Sequence, residues 1–286
     1  MNPTEIRAAL KEIGGHLPAD RQGANKRLGQ HFLIDKNILD IIVTEAEIEK
    51  GDRVLEIGPG LGVLTRALID AGASVTAVER DRRFVEYLSR TVGARHAVPL
   101  QIIFGDASKL NWENHFEVGA HGHAPWKFVS NLPYSITSLA LRKALYAKHP
   151  PTNLVVLVQR EVAERAIARD RKHSLLSLMV AFAAHEARLV KRVSAGCFFP
   201  PPKVESAVLR IIPMTQEERK AIWGRNPEEI MALAKKGFAH PRKLLASNLG
   251  FSATSLPAYW PTNLSSKARA EDLRPEDWAR LAEAKD

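Results

Sequence analysis

Asn131-Leu132-Pro133-Tyr134 gathers more chemically useful groups in four positions than any other stretch of this 286-residue chain. An asparagine side chain offers one acceptor and two donors in a plane, a proline fixes the backbone beside it, and a tyrosine supplies a flat π-face. Those groups suit an amine attached to a nucleobase. Such an amine is a poor nucleophile because its lone pair is delocalised into the ring. Two acceptors, the Asn131 side-chain oxygen and the Leu132 carbonyl, hold its N–H groups and turn the lone pair toward an electrophile. Tyr134 meanwhile stacks on the base, which must leave its helix to be modified. The same four residues also fit an ordinary strand-to-turn junction.

A second constellation lies upstream. In Val54-Leu55-Glu56-Ile57-Gly58-Pro59-Gly60-Leu61-Gly62, three alternate glycines separate an apolar run from a helical pattern. Glycine lets a ligand approach the backbone, and a helix start offers free N–H groups. A dinucleotide fingerprint wants glycine at position 63, where this chain has Val63; that disfavours a nicotinamide-dependent oxidoreductase. The pattern is instead an acid, Glu56, ahead of G-x-G-x-G, with Gly58 and Gly60 as its first glycines. Glu79 ends the next apolar run and suits both hydroxyls of a ribose; Asp106, after the third, suits an exocyclic adenine amine. Singly these are a solvated strand end and a turn aspartate capping a helix. Together, on successive strand ends, they describe a nucleoside lying across the carboxyl edge of a parallel sheet.

The elements that must position these residues follow from apolar periodicity. Strands are expected at Arg53–Ile57, Ser74–Val78, Gln101–Phe104, Lys127–Ser130 and Asn153–Val158. Helices are expected at 36–49, Leu64–Ala71, Asp81–Val92 and Leu139–Lys148. Continuous apolar strands alternating with helices imply an α/β fold with a parallel sheet covered on both faces. Ala187–Val193 and Val204–Ile212 are expected as an antiparallel pair at the sheet edge. Beyond Pro213 the patterns are helical, at Glu217–Trp223, Pro227–Phe238, Lys243–Leu249 and Pro275–Ala284, with Asn226 capping Pro227 at a helix start. The implied organisation is an extension over 1–23, an α/β domain over 24–212 and a helical domain over 213–286.

Composition narrows the class. Hydrophobic residues make up 45% and charged ones 26%, which excludes a disordered or collagen-like chain. No apolar run is long enough to span a bilayer, and the N-terminus lacks both the apolar core of a secretory signal and the Arg- and Ser-rich character of an organelle leader, so a cytoplasmic setting without membrane is expected. A single cysteine, Cys197, rules out a disulfide framework or a multi-cysteine metal site. His115, His121 and His123 share a loop but lack a fitting carboxylate or cysteine partner set, so no metal is expected. The net charge is 41 − 32 = +9; twelve basic and ten acidic residues follow Pro213, leaving +7 in residues 1–212. A polyanionic partner fits that balance. Lys26, Arg27, Arg165, Arg169, Arg171, Lys172, Arg188, Lys191 and Arg192 are candidates to hold a phosphate backbone, or else form solvated faces.

Three further motifs, Lys26–Leu33 (KRLGQHFL), Gln159–Arg165 (QREVAER) and Phe198–Val208 (FFPPPKVESAV), complete a pattern. With Asn-Leu-Pro-Tyr and the glycine loop, the chain resembles the KsgA family of small-subunit ribosomal RNA adenine N6,N6-dimethyltransferases. The resemblance covers about residues 24–212 and extends more faintly into the tail. It implies a Rossmann-like class I fold using S-adenosylmethionine, with contacts at His31, Leu33, Glu56, Gly58, Gly60, Glu79, Asp106 and Asn131, and with Gln30 beside the methionine moiety. It also implies a catalytic group of Asn131, Leu132, Pro133 and Tyr134, with Phe198 as a second face on the target adenine. The implied substrate is two adjacent adenosines near the 3′ end of 16S rRNA, methylated during small-subunit biogenesis by an enzyme whose helical domain docks on the immature subunit; nothing in the sequence suggests an obligate dimer, so a monomer is expected. The chain departs from the family pattern at Leu139, His173-Ser174 and Pro241, none of them an expected cofactor contact. The related Erm enzymes, which act on large-subunit rRNA, usually carry another residue where this chain has Leu132. A third possibility is an assembly factor acting mainly by binding.

Overall fold

The computed structural model describes residues 1–14, 31–93, 100–112, 114, 125–168, 172–252, 256–258, 260–262 and 264–283. Its elements run α1 (Pro3–Glu12), β1 (Phe32–Leu33), α2 (Lys36–Glu45), β2 (Arg53–Ile57), α3 (Val63–Asp70), β3 (Ser74–Glu79) and α4 (Arg82–Leu88). Next come β4 (Leu100–Phe104), β5 (Trp126–Asn131), α5 (Thr137–Leu145), β6 (Asn153–Gln159), α6 (Arg160–Ala166), α7 (Leu175–Ala181) and β7 (Ala184–Val193). The chain continues through β8 (Phe198–Phe199), β9 (Ser206–Pro213), α8 (Gln216–Trp223), α9 (Pro227–Gly237), α10 (Leu245–Asn248) and α11 (Pro275–Glu283).

Seven strands form one sheet in the order β4-β3-β2-β5-β6-β9-β7. The pairs from β4 through β6 are parallel, as continuous apolar strands require when both faces are covered. β9 runs antiparallel to β6, with Gln159 opposite Ser206. The later β-rich stretches therefore join the sheet, but only β7 is an edge strand. β9 sits inside, where Ala207, Val208, Leu209 and Ile211 are wholly buried.

The parallel order brings the strand ends of the two constellations together, and helix starts fix the turns between them. Asp35 caps α2 by accepting from Ile38 N at 3.1 Å, and Asp81 caps α4 by accepting from Arg83 N at 3.1 Å. α3 begins instead at Gly62, in the left-handed region at φ +74° and with no side-chain cap. Residues read only as an extension include α1, whose Asn2 and Glu5 form a reciprocal cap. Its Ile6, Ala9 and Leu10 pack with Phe32, Leu61, Phe84 and Phe199. β1 pairs with β8 in a separate two-stranded sheet, Phe32 opposite Phe199 and Leu33 opposite Phe198.

The chain divides into two compact units, one of Met1–Ala163 with Arg188–Ile212, the other of Glu164–Ala187 with Pro213–Asp286. In the second unit Ile230, Ala234, Trp278 and Leu281 are buried, and Asn226 caps α9 at Pro227 as its sequence suggests. Phe182 meets Trp223 edge to face at 4.9 Å, joining the end of α7 to α8. No helix among the described residues is long and apolar enough to cross a membrane.

Candidate active site

The carboxyl ends of β2, β3, β4 and β5 open on one cleft in the first unit. Glu56 lines it from β2, Gly58 and Gly60 from the β2–α3 turn, Glu79 from β3, Asp106 from the loop after β4, and Asn131 to Tyr134 from the end of β5. His31 and Leu33 line it too; Gln30 lies outside the described residues. The glycines supply a left-handed backbone that side chains resist, with close neighbours besides. Gly58 is at φ +70°, and a Cβ on it would sit 3.2 Å from Pro133 Cγ. Gly60 is at φ +54°, and its Cβ would sit 3.0 Å from the Phe32 ring. Ser130 ties the two turns further, its Oγ donating to Ile57 O at 2.7 Å.

Three carboxyl groups differ in state. Glu56 is 2% exposed and accepts from Thr65 Oγ1 at 2.6 Å. Burial pushes its pKa up to about 8, against the pull of Thr65 and with a further push from the Glu79 charge. Glu79 is also raised by burial, and three main-chain donors oppose the rise: Gly60 N at 3.2 Å, Arg80 N at 2.8 Å and Asp81 N at 2.9 Å. Asp106 is held below its usual range, first by Ser108 Oγ at 2.7 Å and then by Ser108 N at 2.9 Å on the same oxygen. The cleft thus presents an anionic Asp106 at one end and buried carboxyl groups along its floor.

At the other end Asn131 Nδ2 donates to His31 O at 3.2 Å, while Oδ1 accepts no hydrogen bond from the described residues. Leu132 is buried, its N–H donating to Leu157 O at 3.1 Å, and Pro133 adopts φ −56°, ψ 126°. Tyr134 is pinned at its phenol, which shares a hydrogen bond of 2.7 Å with Ser206 Oγ. Burial raises its pKa, so it stays neutral. The His31 ring stacks on it at 6.0 Å and 28°, and His31 Nδ1 donates to Pro200 O at 2.8 Å.

The structure brings all the described candidates to this cleft except Phe198. That ring is 2% exposed and packs in the sheet core with Leu33, Val193 and Val208, so a base could not reach it as it stands. His115, His121, His123, Lys26, Arg27, Arg169 and Arg171 fall outside the described residues. Of the other basic candidates, Lys172 pairs with Glu271 at 2.8 Å and Arg188 with Glu45, while Lys191 and Arg192 are exposed on β7. Sequence reasoning passed over Phe32, Thr65, Ser130 and Ser206. Ser206 stands inside the Phe198–Val208 motif and Phe32 inside Lys26–Leu33, the signals that pointed to them; Thr65 and Ser130 act through contacts with no fixed spacing.

A mostly parallel seven-stranded sheet, one antiparallel strand set inside it and a polar cleft across the strand ends define a Rossmann-like methyltransferase fold. The chain belongs to the ribosomal RNA adenine dimethylase family, whose model matches residues 21–286. It is 37% identical over 264 residues to the ribosomal RNA small subunit methyltransferase A of Dehalococcoides mccartyi, covering 90% of this chain and 87% of that one. Among solved structures, the 23S rRNA methyltransferase ErmE is similar with a TM-score of 0.67 and 26% identity, over 88% of this chain and 98% of that one. A dimethyladenosine transferase from Plasmodium falciparum is similar with a TM-score of 0.66 and 25% identity, over 88% and 96% respectively.

Proposed function

We propose that this protein is an S-adenosylmethionine-dependent adenine N6,N6-dimethyltransferase of small-subunit rRNA, acting as a cytoplasmic monomer on two adjacent adenosines near the 3′ end of 16S rRNA in the immature subunit. The observation that carries the reading is the Asn131 amide. Its nitrogen donates to His31 O and its oxygen has no donor among the described residues, at the end of a cleft whose other strand ends carry Glu79 and Asp106. The cleft residues fit the cofactor. The glycines hold left-handed turns against close neighbours, Glu79 matches a ribose diol, and the anionic Asp106 matches an exocyclic amine.

When bound, S-adenosylmethionine supplies an electrophilic sulfonium methyl group. Asn131 Oδ1 and the Leu132 carbonyl accept the N–H groups of the target adenine and turn its lone pair out of the ring. Tyr134, pinned by Ser206 and covered on one side by His31, offers its other face to the base. Much of the rate then comes from holding the amine in line. Phe198 supports this end from the core by pairing with Leu33. The helical residues beyond Pro213 serve to dock on the subunit.

Labelled cofactor given to small subunits lacking dimethyladenosine, with large subunits and free rRNA in parallel, tests the reading. Dimethyladenosine is expected in the small subunit alone; label in large-subunit RNA, or in none, would overturn it. Asn131→Ala is expected to abolish transfer and leave subunit binding intact.

A further inference from the structure

The loop that presents Asp106 has little regular structure of its own; something must hold it. The group that does so comes from α5, the helix that grows out of the Asn131–Tyr134 segment. Lys143 Nζ donates to Ala107 O at 3.0 Å, Ser108 O at 2.9 Å and Leu110 O at 2.6 Å. An ammonium has three N–H donors and no acceptor, so three carbonyls satisfy it completely. The same nitrogen lies 5.1 Å from the centre of the Trp112 ring, whose Nε1 donates to Ala107 O at 2.8 Å. Asp106 O accepts from Lys109 N and Leu110 N, and Asp106 Oδ1 accepts from Ser108, so the carboxylate takes its direction from the turn that Lys143 gathers.

We propose that Lys143 is a positioning residue for recognition of the cofactor's base: it fixes the carbonyls of Ala107, Ser108 and Leu110 and thereby aims Asp106 at the exocyclic amine. The proposal rests on the reading of the cleft as an S-adenosylmethionine site with its adenine at Asp106. Because Lys143 stands on the helix that follows the target-base residues, one side chain also ties the two ends of the site together. Partial desolvation lowers the pKa of Lys143 and the Asp106 charge opposes the fall.

The test compares S-adenosylhomocysteine with S-inosylhomocysteine, which lacks the amine, by calorimetric titration of the full chain. Wild type is expected to prefer the adenosyl ligand, and Asp106→Asn to lose that preference. Lys143→Met is expected to behave like Asp106→Asn, weakening the adenosyl ligand about tenfold while barely moving the inosyl one. Lys143→Arg keeps the charge but not the three-point geometry, and is expected to fall between. Hydrogen exchange across 105–112 gives a readout independent of ligand, expected to quicken in Lys143→Met and not over 56–64. Equal loss of both ligands in the Lys143 variants, or an unchanged preference, would overturn the positioning role while leaving the cleft reading intact. Wild type binding neither ligand, or showing no preference that Asp106→Asn removes, would overturn the cleft reading and the proposal with it.

Discussion

Glu56 holds a proton at neutral pH that a solvated glutamate has lost. Its pKa in the folded chain is raised to about 8 from 4.5, so its contribution to stability is full below 4.5 and is lost as pH rises toward 8. Glu56→Gln removes that dependence. The melting temperature of the variant relative to wild type is therefore expected to rise between about pH 5 and pH 8 and then level off; parallel curves would sink the assignment. Tyr134 and Ser206 make a second residue-scale case, since one hydrogen bond of 2.7 Å joins them. Tyr134→Phe and Ser206→Ala each remove it, so the double variant is expected to fall short of additivity by about 0.5–1.5 kcal/mol in unfolding free energy. Glu56, Glu79, Asp106 and Asn131 were legible because each stands at or just beyond the last residues of a strand, beside a turn. The Tyr134–Ser206 bond was not, because 72 positions separate its partners and no local spacing encodes a tertiary contact.

At the scale of elements, the turn into α3 leaves least room for change. A Cβ on Gly62 would fall 2.5 Å from Leu88 Cδ2 and 3.1 Å from Val92 Cγ2, both buried, in a backbone conformation that side chains resist. Gly62→Ala is expected to cost about 1–3 kcal/mol, read from denaturant midpoints. Ile6→Ala in α1, where the side chain is wholly buried, is expected to cost about 2–5 kcal/mol despite lying in a stretch that reads as an extension. The reason it reads so is instructive. Asn2, Pro3 and Glu5 are good helix-start signals, but the partners of Ile6 and Leu10 are Phe32, Phe84 and Phe199, far away in sequence. The same holds for β1 and β8, two residues each, which show no alternation to read. The β2 to β6 alternation was plain because each strand is an apolar run with a glycine or polar turn after it.

Across the whole molecule the charge of +9 sets the expected salt response. Residues 230–270 carry six Lys or Arg and no acid, whereas Arg188 and Arg210 are engaged by Glu45 and Glu47. Neutralising about six phosphates predicts roughly a thousandfold loss of rRNA affinity between 50 and 200 mM salt. Filter binding at the two concentrations measures it; a flat response would mean that net charge misled. Total charge was readable from composition, but which cations are free for RNA was not, because ion pairs form only on folding. The strand order also has a consequence for synthesis. β6 is flanked by β5 and β9, and β9 ends at Pro213, 54 positions after Gln159. At about 5–20 residues per second, a nascent chain therefore carries one side of Asn153–Gln159 bare for roughly 3–11 s. Such an apolar edge invites pairing with neighbouring chains, so a translation product that stops before Ser206 should aggregate or fall to a chaperone.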